Sequence, residues 1–450
     1  MLEQAEQHYE KEKAVEIAGT IPFFDSYDLA TGKLSLRAAT HFPMEIFDFA
    51  KQYPLHILNA SGSELSLLPK EFGQLNRLQI ALFSDNKFEE VPRALSECPE
   101  LSIIALKSNK ISTWGENALP LKTRWLMLTG NAIEKIPPSI GTLRYLQKLA
   151  LAGNRIASLP EEMALCRELE LIRIAANELQ EPPPDWVLNH SKFTWYGDSG
   201  NPFCSTESKK PKIGEIKLED IAFDEKNDLV GESPSSRVFR GSLLKTGEKV
   251  AVKIFKSGLT SDGFPEDDMR ASIAAGTHQG LIKIIAKLSG HPMGSEGIVL
   301  SLVPPEYKKL GHPPDFTTCT RDTFPSGTSF SVDYILNVFR DISSACEHLH
   351  RRGIAHGDIY AHNILSNSAG HSLLGDFGAA SFYEPSTNPA REYFDVRAFG
   401  FLMADLLEKC IDVRNEKKLK RLAELQRACL SENLLERPRF SHICQVLSKI

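Results

Sequence analysis

The chain has little cysteine, little excess of charge of either sign and no long hydrophobic run. Its eight cysteines are scattered over 450 residues, at 98, 166, 204, 319, 346, 410, 429 and 444, and none forms a Cys-x-x-Cys pair. That spacing argues against a disulfide framework. Most of them sit on apolar stripes, where cysteine behaves as a small hydrophobe. A reducing cytosol fits this usage, and a cytoplasmic location is expected. The formal net charge is −6, so nothing recommends nucleic acid or an anionic membrane as a partner. No apolar run is long enough to span a bilayer. The first 17 residues are charged and lack an apolar h-region, so no signal peptide is expected. The length is enough for two or three domains.

The first half is periodic. Asn86, Asn109, Asn131, Asn154 and Asn177 recur every 22 or 23 residues, each closing a frame such as Leu101-x-x-Ile104-x-Leu106-x-x-Asn109. Leu-Pro or a variant follows each frame, as at Leu68-Pro69, Val91-Pro92, Ile136-Pro137 and Leu159-Pro160. One short strand cannot bury its apolar face, whereas stacked copies build a continuous core. An earlier copy starts at Leu55 with Ser63 in the Asn slot, and a half-copy over Phe193–Phe203 carries Asn201 in frame. The pattern resembles the leucine-rich-repeat family. The resemblance implies an α/β solenoid over residues 55–203, preceded by a helix and degenerate capping repeat over 1–54. It also implies a protein partner on the concave face, where the third and fifth frame positions place Ile80, Leu82, Ile103, Trp125, Met127, Leu171, Arg173 and Trp195. Two alternatives stay open: these positions are half-buried between strands, or the groove holds the other half of this same chain.

Residues 204–215 are polar, with Lys, Ser and Pro, and read as a linker. Beyond Ile216 short β-rich runs come first (238–240, 249–255, 297–303) and helical stretches follow (332–350, 396–409, 419–430). A β-rich lobe (216–303) before a helical lobe (304–450) is an α+β domain.

The chemistry lies in this second half. His356-Gly-Asp-Ile-Tyr-Ala-His-Asn363 and Asp376-Phe-Gly378 bring three polar side chains into one short stretch, and Val250-Ala-Val-Lys253 lies upstream. A positioning carboxylate, two metal ligands and a cation are what ATP-Mg²⁺ phosphoryl transfer needs. From about residue 214 to the end the chain resembles the eukaryotic-type protein kinases, which are bilobal. The resemblance implies ATP and Mg²⁺ as cofactors. Asp358 would orient the acceptor hydroxyl, Lys253 would meet the α- and β-phosphates, and Asn363 and Asp376 would hold Mg²⁺. Gly231, Ser233, Ser236, Val238 and Ala251 would line the nucleotide. Asp268, or else Glu266, would pair with Lys253, and Ser301 and Val303 would offer backbone groups to adenine beside Leu300.

The departures from that pattern matter as much. Ser233 and Ser236 stand where the phosphate-covering loop usually has glycine, which costs the free positive φ, and Pro234 removes a donor. Gly357 replaces an arginine that anchors a phosphorylated activation loop, so loop phosphorylation is not expected to be the main switch. Tyr360 replaces the lysine that faces the γ-phosphate, and His362 substitutes only in part. Only 18 residues separate Asp376 from Asp395, with no Ala-Pro-Glu-like segment. Arg437 matches a late arginine whose usual glutamate is missing, with Glu392 as the stand-in. The reading is a Ser/Thr-type protein kinase whose repeats recruit a protein. The alternatives are a small-molecule kinase of similar fold and a catalytically weak pseudokinase scaffold.

Overall fold

The computed structural model describes residues 11–204, 213–233, 235–256, 258–386, 389–412 and 415–450. Pro234 and most of the 204–215 stretch fall outside the described residues. Two compact bodies result: Met1–Leu169 with Asn177–Val187, and Glu170–Ala176 with Leu188–Ile450.

The first body opens with helical residues 11–18 and an antiparallel hairpin, β1 (Phe24–Asp28) and β2 (Lys33–Leu36). Helix α1 (Glu45–Gln52) follows. Then come β3 (Ile57–Asn59), β4 (Ile80–Leu82), β5 (Ile103–Ala105), β6 (Trp125–Met127) and β7 (Lys148–Ala150). Each pairs in parallel with the strand before it, β3 with β2 first, and the register advances one repeat at a time. The recurring asparagines explain why this stack holds. Asn86 Oδ1 accepts from the Leu65 N–H (2.9 Å), and its Nδ2 donates to Ala60 O (2.8 Å) and Phe83 O (3.1 Å). Asn109, Asn131 and Asn154 repeat the arrangement one copy later each time. Each amide thus satisfies carbonyls in its own turn and in the preceding copy, which buried backbone requires. Ser63 replaces only one of these bonds, accepting from the Ala39 N–H (3.1 Å). Pro69, Pro92, Pro137 and Pro160 each precede a short 3₁₀ turn, where a fixed φ and a missing N–H cost nothing. Ile80, Ile103 and Trp125 are buried, Leu82 and Met127 are half-buried, and Lys148 lies over the Trp125 ring at 4.0 Å.

The second body contains strands β8 (Leu171–Arg173) and β9 (Trp195–Gly197), paired in parallel. Its small-lobe sheet runs in the order β10 (Glu215–Lys217), β15 (Ile284–Ser289), β16 (Gly297–Ser301), β14 (Lys249–Phe255), β13 (Ser236–Leu243), β11 (Ile221–Ala222), with β12 (Leu229–Glu232) on β13. Helix α2 (Pro265–Ala275) begins on a proline and ends at Gly276, whose φ of 69° with ψ of −154° is a backbone conformation open essentially to glycine alone. The large lobe is built on α3 (Val332–Arg351), α4 (Ala390–Glu408), α5 (Glu416–Cys429) and α6 (Phe440–Leu447). Helix α4 starts six residues before the expected Val396, directly after Pro389. Ile335, Phe339 and Ile342 from α3 pack with Val396, Phe399 and Met403 from α4, and Leu171 and Trp195 belong to that same apolar cluster. This is why β8 and β9 fall in the second body, although residues 204–215 read as the linker in sequence. No helix among the described residues is long and apolar enough to cross a membrane.

Candidate active site

Strand β14 alternates inward and outward, and the extended run 250–253 aims Lys253 away from the small-lobe core. Its Nζ lies 2.6 Å from Asp268 Oδ2 on the first turns of α2. Asp268 is held from behind by the Ser272 hydroxyl, which donates to Oδ1 (3.1 Å). Burial opposes the Lys253 charge, but Asp268 and then Asp376 outweigh it and hold the ammonium above its ordinary value. Burial pushes Asp268 up, while the Lys253 charge pulls it back. Glu266 is not the partner.

The 354–363 segment supplies the second group. Asn363 Nδ2 donates to Asp358 Oδ2 (2.7 Å) and to Asp358 O (3.0 Å). Asp376 follows β20 (Ser372–Leu374) with a φ of 58°, and its Oδ1 accepts the Gly378 N–H (3.2 Å). Among the described residues, Asn363 Oδ1 and Asp376 Oδ2 have no hydrogen-bond partner. Two hard oxygens beside a cation for phosphates are donors that suit Mg²⁺, which takes its other ligands from phosphate and water. No cluster of three or more His, Cys, Asp or Glu side chains offers a further metal site among the described residues.

The loop between β12 and β13 is closed on itself. Ser233 Oγ accepts from the N–H groups of Ser235 (3.2 Å) and Ser236 (3.1 Å), and Ser233 N–H donates to Ser236 O (2.9 Å). Amides that a glycine loop would aim at phosphate are thus engaged by a side chain. Gly231 and Val238 are half-buried on β12 and β13, and Ala251 is buried on β14. Ser301 ends β16 and Val303 follows it, both half-buried, and the Ser301 N–H already donates to Lys283 O (2.9 Å).

Strands β8 and β9 frame the 354–363 segment. Arg173 donates from Nε to Asp262 Oδ1 (2.7 Å), from Nη1 to Gly357 O (3.1 Å) and from Nη2 to Asp358 Oδ1. Burial opposes the Arg173 charge, yet Asp358 and Asp262 hold it above its ordinary value. Trp195 Nε1 donates to Ile359 O (3.3 Å), and its ring stacks on Tyr360 with centroids 4.4 Å apart and planes 6° apart. These contacts show Leu171, Arg173 and Trp195 engaged by the second body itself rather than presented to another protein.

The backbone also explains Gly357. Its φ is 70°, and a Cβ there would lie 2.5 Å from Tyr196 O and 2.7 Å from Ala379 O. An arginine does not fit. Tyr360 stacks on Trp195, and His362 Nδ1 is bound to Asp322 Oδ1 at 2.6 Å, so neither donates a hydrogen bond to the Asp358 carboxylate. Glu392 is not the partner of Arg437. It faces His350, 3.6 Å away, and accepts the Phe440 N–H (3.3 Å). Arg437 instead donates to the carbonyls of Ser431, Tyr393 and Ser191.

Asp262 lay outside the sequence reading, and Asp395 entered it only as the start of an Asp-x-x-x-x-Gly motif. Asp395 accepts from the N–H groups of His356 (2.7 Å) and Gly357 (2.9 Å) and faces His350 Nε2 (2.8 Å), which anchors the 354–363 segment on α4. Asp262, in the loop before α2, fixes Arg173. Asp395 was legible as the head of a Asp-x-x-x-x-Gly motif, but Asp262 carries no local signal.

Residues 225–399 match the protein kinase domain family. The chain is similar to cyclin-dependent kinase C-2 C of Arabidopsis thaliana, 31% identical over 175 residues, covering 38% of this chain and 25% of that protein. It is similar to a probable serine/threonine-protein kinase of Dictyostelium discoideum, 29% identical over 180 residues (39% of this chain, 25% of that protein). It is also similar to cyclin-dependent kinase 11.2 of Caenorhabditis elegans, 26% identical over 159 residues (35% and 22%). The chain spans about a quarter of the length of these curated relatives. Residues 225–399, within the second body, are thus similar to a protein kinase domain, and the relatives they match include a probable serine/threonine-protein kinase.

Proposed function

We propose that the chain is an ATP-dependent protein kinase that phosphorylates serine and threonine hydroxyls. The observation that carries the reading is the joint placement of two pairs: Lys253 with Asp268, and Asp358 with Asn363, with Asp376 acting electrostatically on Lys253, Asp268 and Asp358. Lys253 is the cation for the α- and β-phosphates. Asn363 and Asp376 hold Mg²⁺, which when bound neutralises charge on the phosphates. Asp358 receives the acceptor hydroxyl and takes its proton. Backbone groups of Ser301 and Val303 meet adenine, and Gly231, Ser233, Ser236, Val238 and Ala251 enclose the nucleotide.

We further infer that residues 55–203 are a leucine-rich-repeat array, supported by the asparagine ladder and the parallel one-repeat register. Ile80, Leu82, Ile103, Trp125 and Met127 would meet a recruited protein, and the location would be cytoplasmic. One observation favours a second reading, a weakly binding pseudokinase scaffold: the Ser233 hydroxyl occupies the amides of Ser235 and Ser236.

The test is transfer of labelled γ-phosphate by the purified full chain to generic protein acceptors and to small hydroxylated metabolites. Asp358→Asn should lower kcat by about 10²-fold or more, the scale of a lost proton-handling group. Equal transfer by wild type and variant rules out the catalytic assignment. Wild-type transfer to metabolites alone rules out the protein acceptor.

A further inference from the structure

We propose that Arg173, carried on strand β8, is the cation of the phosphoryl-transfer site. It orients Asp358 and sets beside the terminal phosphoryl group the positive charge that position 360 lacks. This inference rests on the phosphoryl-transfer reading above and deepens it.

The chemical need is general. In the transfer, a bond forms between the acceptor oxygen and phosphorus while the bond from phosphorus to the bridging oxygen of ADP breaks. The electron pair leaves on ADP, and the hydroxyl proton passes to Asp358. Charge spreads over the three equatorial oxygens of the moving group, and a fixed arginine beside them stabilises it. Asp358 lies one hydrogen bond from the acceptor hydroxyl when it acts. A guanidinium bonded to Asp358 is then within about two hydrogen-bond lengths of the reacting group.

Arg173 is placed for that work. A guanidinium has five N–H donors. One from Nε goes to Asp262, one from Nη1 to Gly357 O and one from Nη2 to Asp358. One N–H remains on each Nη. Among the described residues, Arg173 is the cationic side chain that donates to Asp358. The other Asp358 oxygen is held by Asn363, and 18% of the Asp358 side chain stays exposed for an acceptor.

The alternative is an inhibitory plug, which must be able to withdraw. Arg173 is not built to withdraw. Its side chain is 4% exposed. Its neighbours Leu171 and Trp195 are part of the large-lobe core. The Gly357 backbone is shaped around Tyr196 O, and Asp198, directly after strand β9, is fully buried against Arg391. Lifting β8 and β9 away would open that core and strand Arg391 without a counterion. The arginine is therefore a resident part of the site.

The test uses the full chain with Arg173→Ala, Arg173→Lys and Arg173→Gln. Phosphoryl transfer is measured alongside calorimetric titration with MgADP and with the Mg²⁺ complex of a β,γ-imido ATP analogue. Arg173→Ala should lose about a hundredfold in kcat, equal to about 2.7 kcal/mol. MgADP affinity should stay within about twofold, while the triphosphate analogue weakens several-fold. Added guanidinium should restore part of the rate to Arg173→Ala. A variant as fast as wild type overturns the inference, and a faster one identifies a plug instead. Equal weakening of diphosphate and triphosphate binding also overturns it. If Arg173→Ala does not fold, Arg173→Lys should exceed Arg173→Gln by about tenfold or more, because only Lys keeps the charge. Equal Lys and Gln rates overturn the inference. A wild type that transfers no phosphate overturns the parent reading itself, whatever the variants do.

Discussion

Changing Asp198 to Asn tests how firmly strand β9 is bound into the kinase body. Asp198 and Arg391 form a two-pronged pair, Oδ1 to Nη1 at 2.7 Å and Oδ2 to Nη2 at 2.6 Å. Their side chains are 0% and 4% exposed. The Tyr196 hydroxyl also donates to Asp198 Oδ2 (3.0 Å). Asparagine keeps the volume and removes the charge. Arg391 has no escape by losing its proton, because arginine stays charged in proteins. Removing one partner of such a buried pair costs about 3–5 kcal/mol. In a body of this size each kcal/mol lowers Tm by about 2–3 °C, so Asp198→Asn should lower Tm by about 6–15 °C. The double change Asp198→Leu with Arg391→Met removes both charges at similar volume and should recover more than half of that loss. Calorimetric melting of the full chain measures both. A single-variant shift below about 2 °C, or a double variant as unstable as the single, refutes the claim that the pair fastens β9.

His350 gives a pH signature. Burial works against its charge, but hydrogen bonding to Asp395 and the nearby Glu392 raise its pKa from 6.5 to about 9. A folded pKa above the unfolded one gives stability that is fully present below about pH 6.5 and is lost as pH rises through about 9. The stability gap between wild type and His350→Gln, from denaturant unfolding at pH 6 and pH 9.5, should narrow by roughly 2–3 kcal/mol; a constant gap refutes the assignment. Regulation gives the other expectation. Gly357 leaves no arginine to anchor a phosphate, and Ser381 is buried with its hydroxyl taken by Arg391 (2.7 Å). Phosphatase treatment should leave the rate within about twofold. A large loss, mapped to Ser381, Tyr383, Ser386, Tyr393 or Thr387 (which lies outside the described residues), would show that a phosphorylated loop drives the enzyme.

Much of the architecture could be read in advance because its signals are local. An asparagine every 22 or 23 residues must bond its own turn and its neighbour, so the period alone implies stacked parallel strands. The short spacing from Asp358 to Asn363 and Asp376 confines those side chains to one end of a lobe. What stayed hidden depends on long-range meetings. Arg173 lies 185 residues before Asp358, and position 173 read as one more groove residue. Gly357 looked like the loss of an anchor, whereas it is an accommodation to the Tyr196 carbonyl, visible only once β9 is in place. The pairing of Asp268 with Lys253 could be inferred from helix phasing, with Glu266 as its alternative, but Asp262, three residues before the first residue of α2, follows no pattern that marks it.

The clasp of β8 and β9 on the catalytic loop bears on how this chain can diverge. Repeat arrays and kinase domains are ordinarily treated as cassettes that recombine at a polar junction. Here a join at 204–215 would import a kinase cassette without Arg173, Trp195 or Asp198 and with Gly357 shaped for a carbonyl no longer there. Positions 171–173, 195–198, 357–360 and 391 therefore form one heritable unit, whose members must change together. A change at any one of these positions should thus be tolerated only with a matching change at its partners.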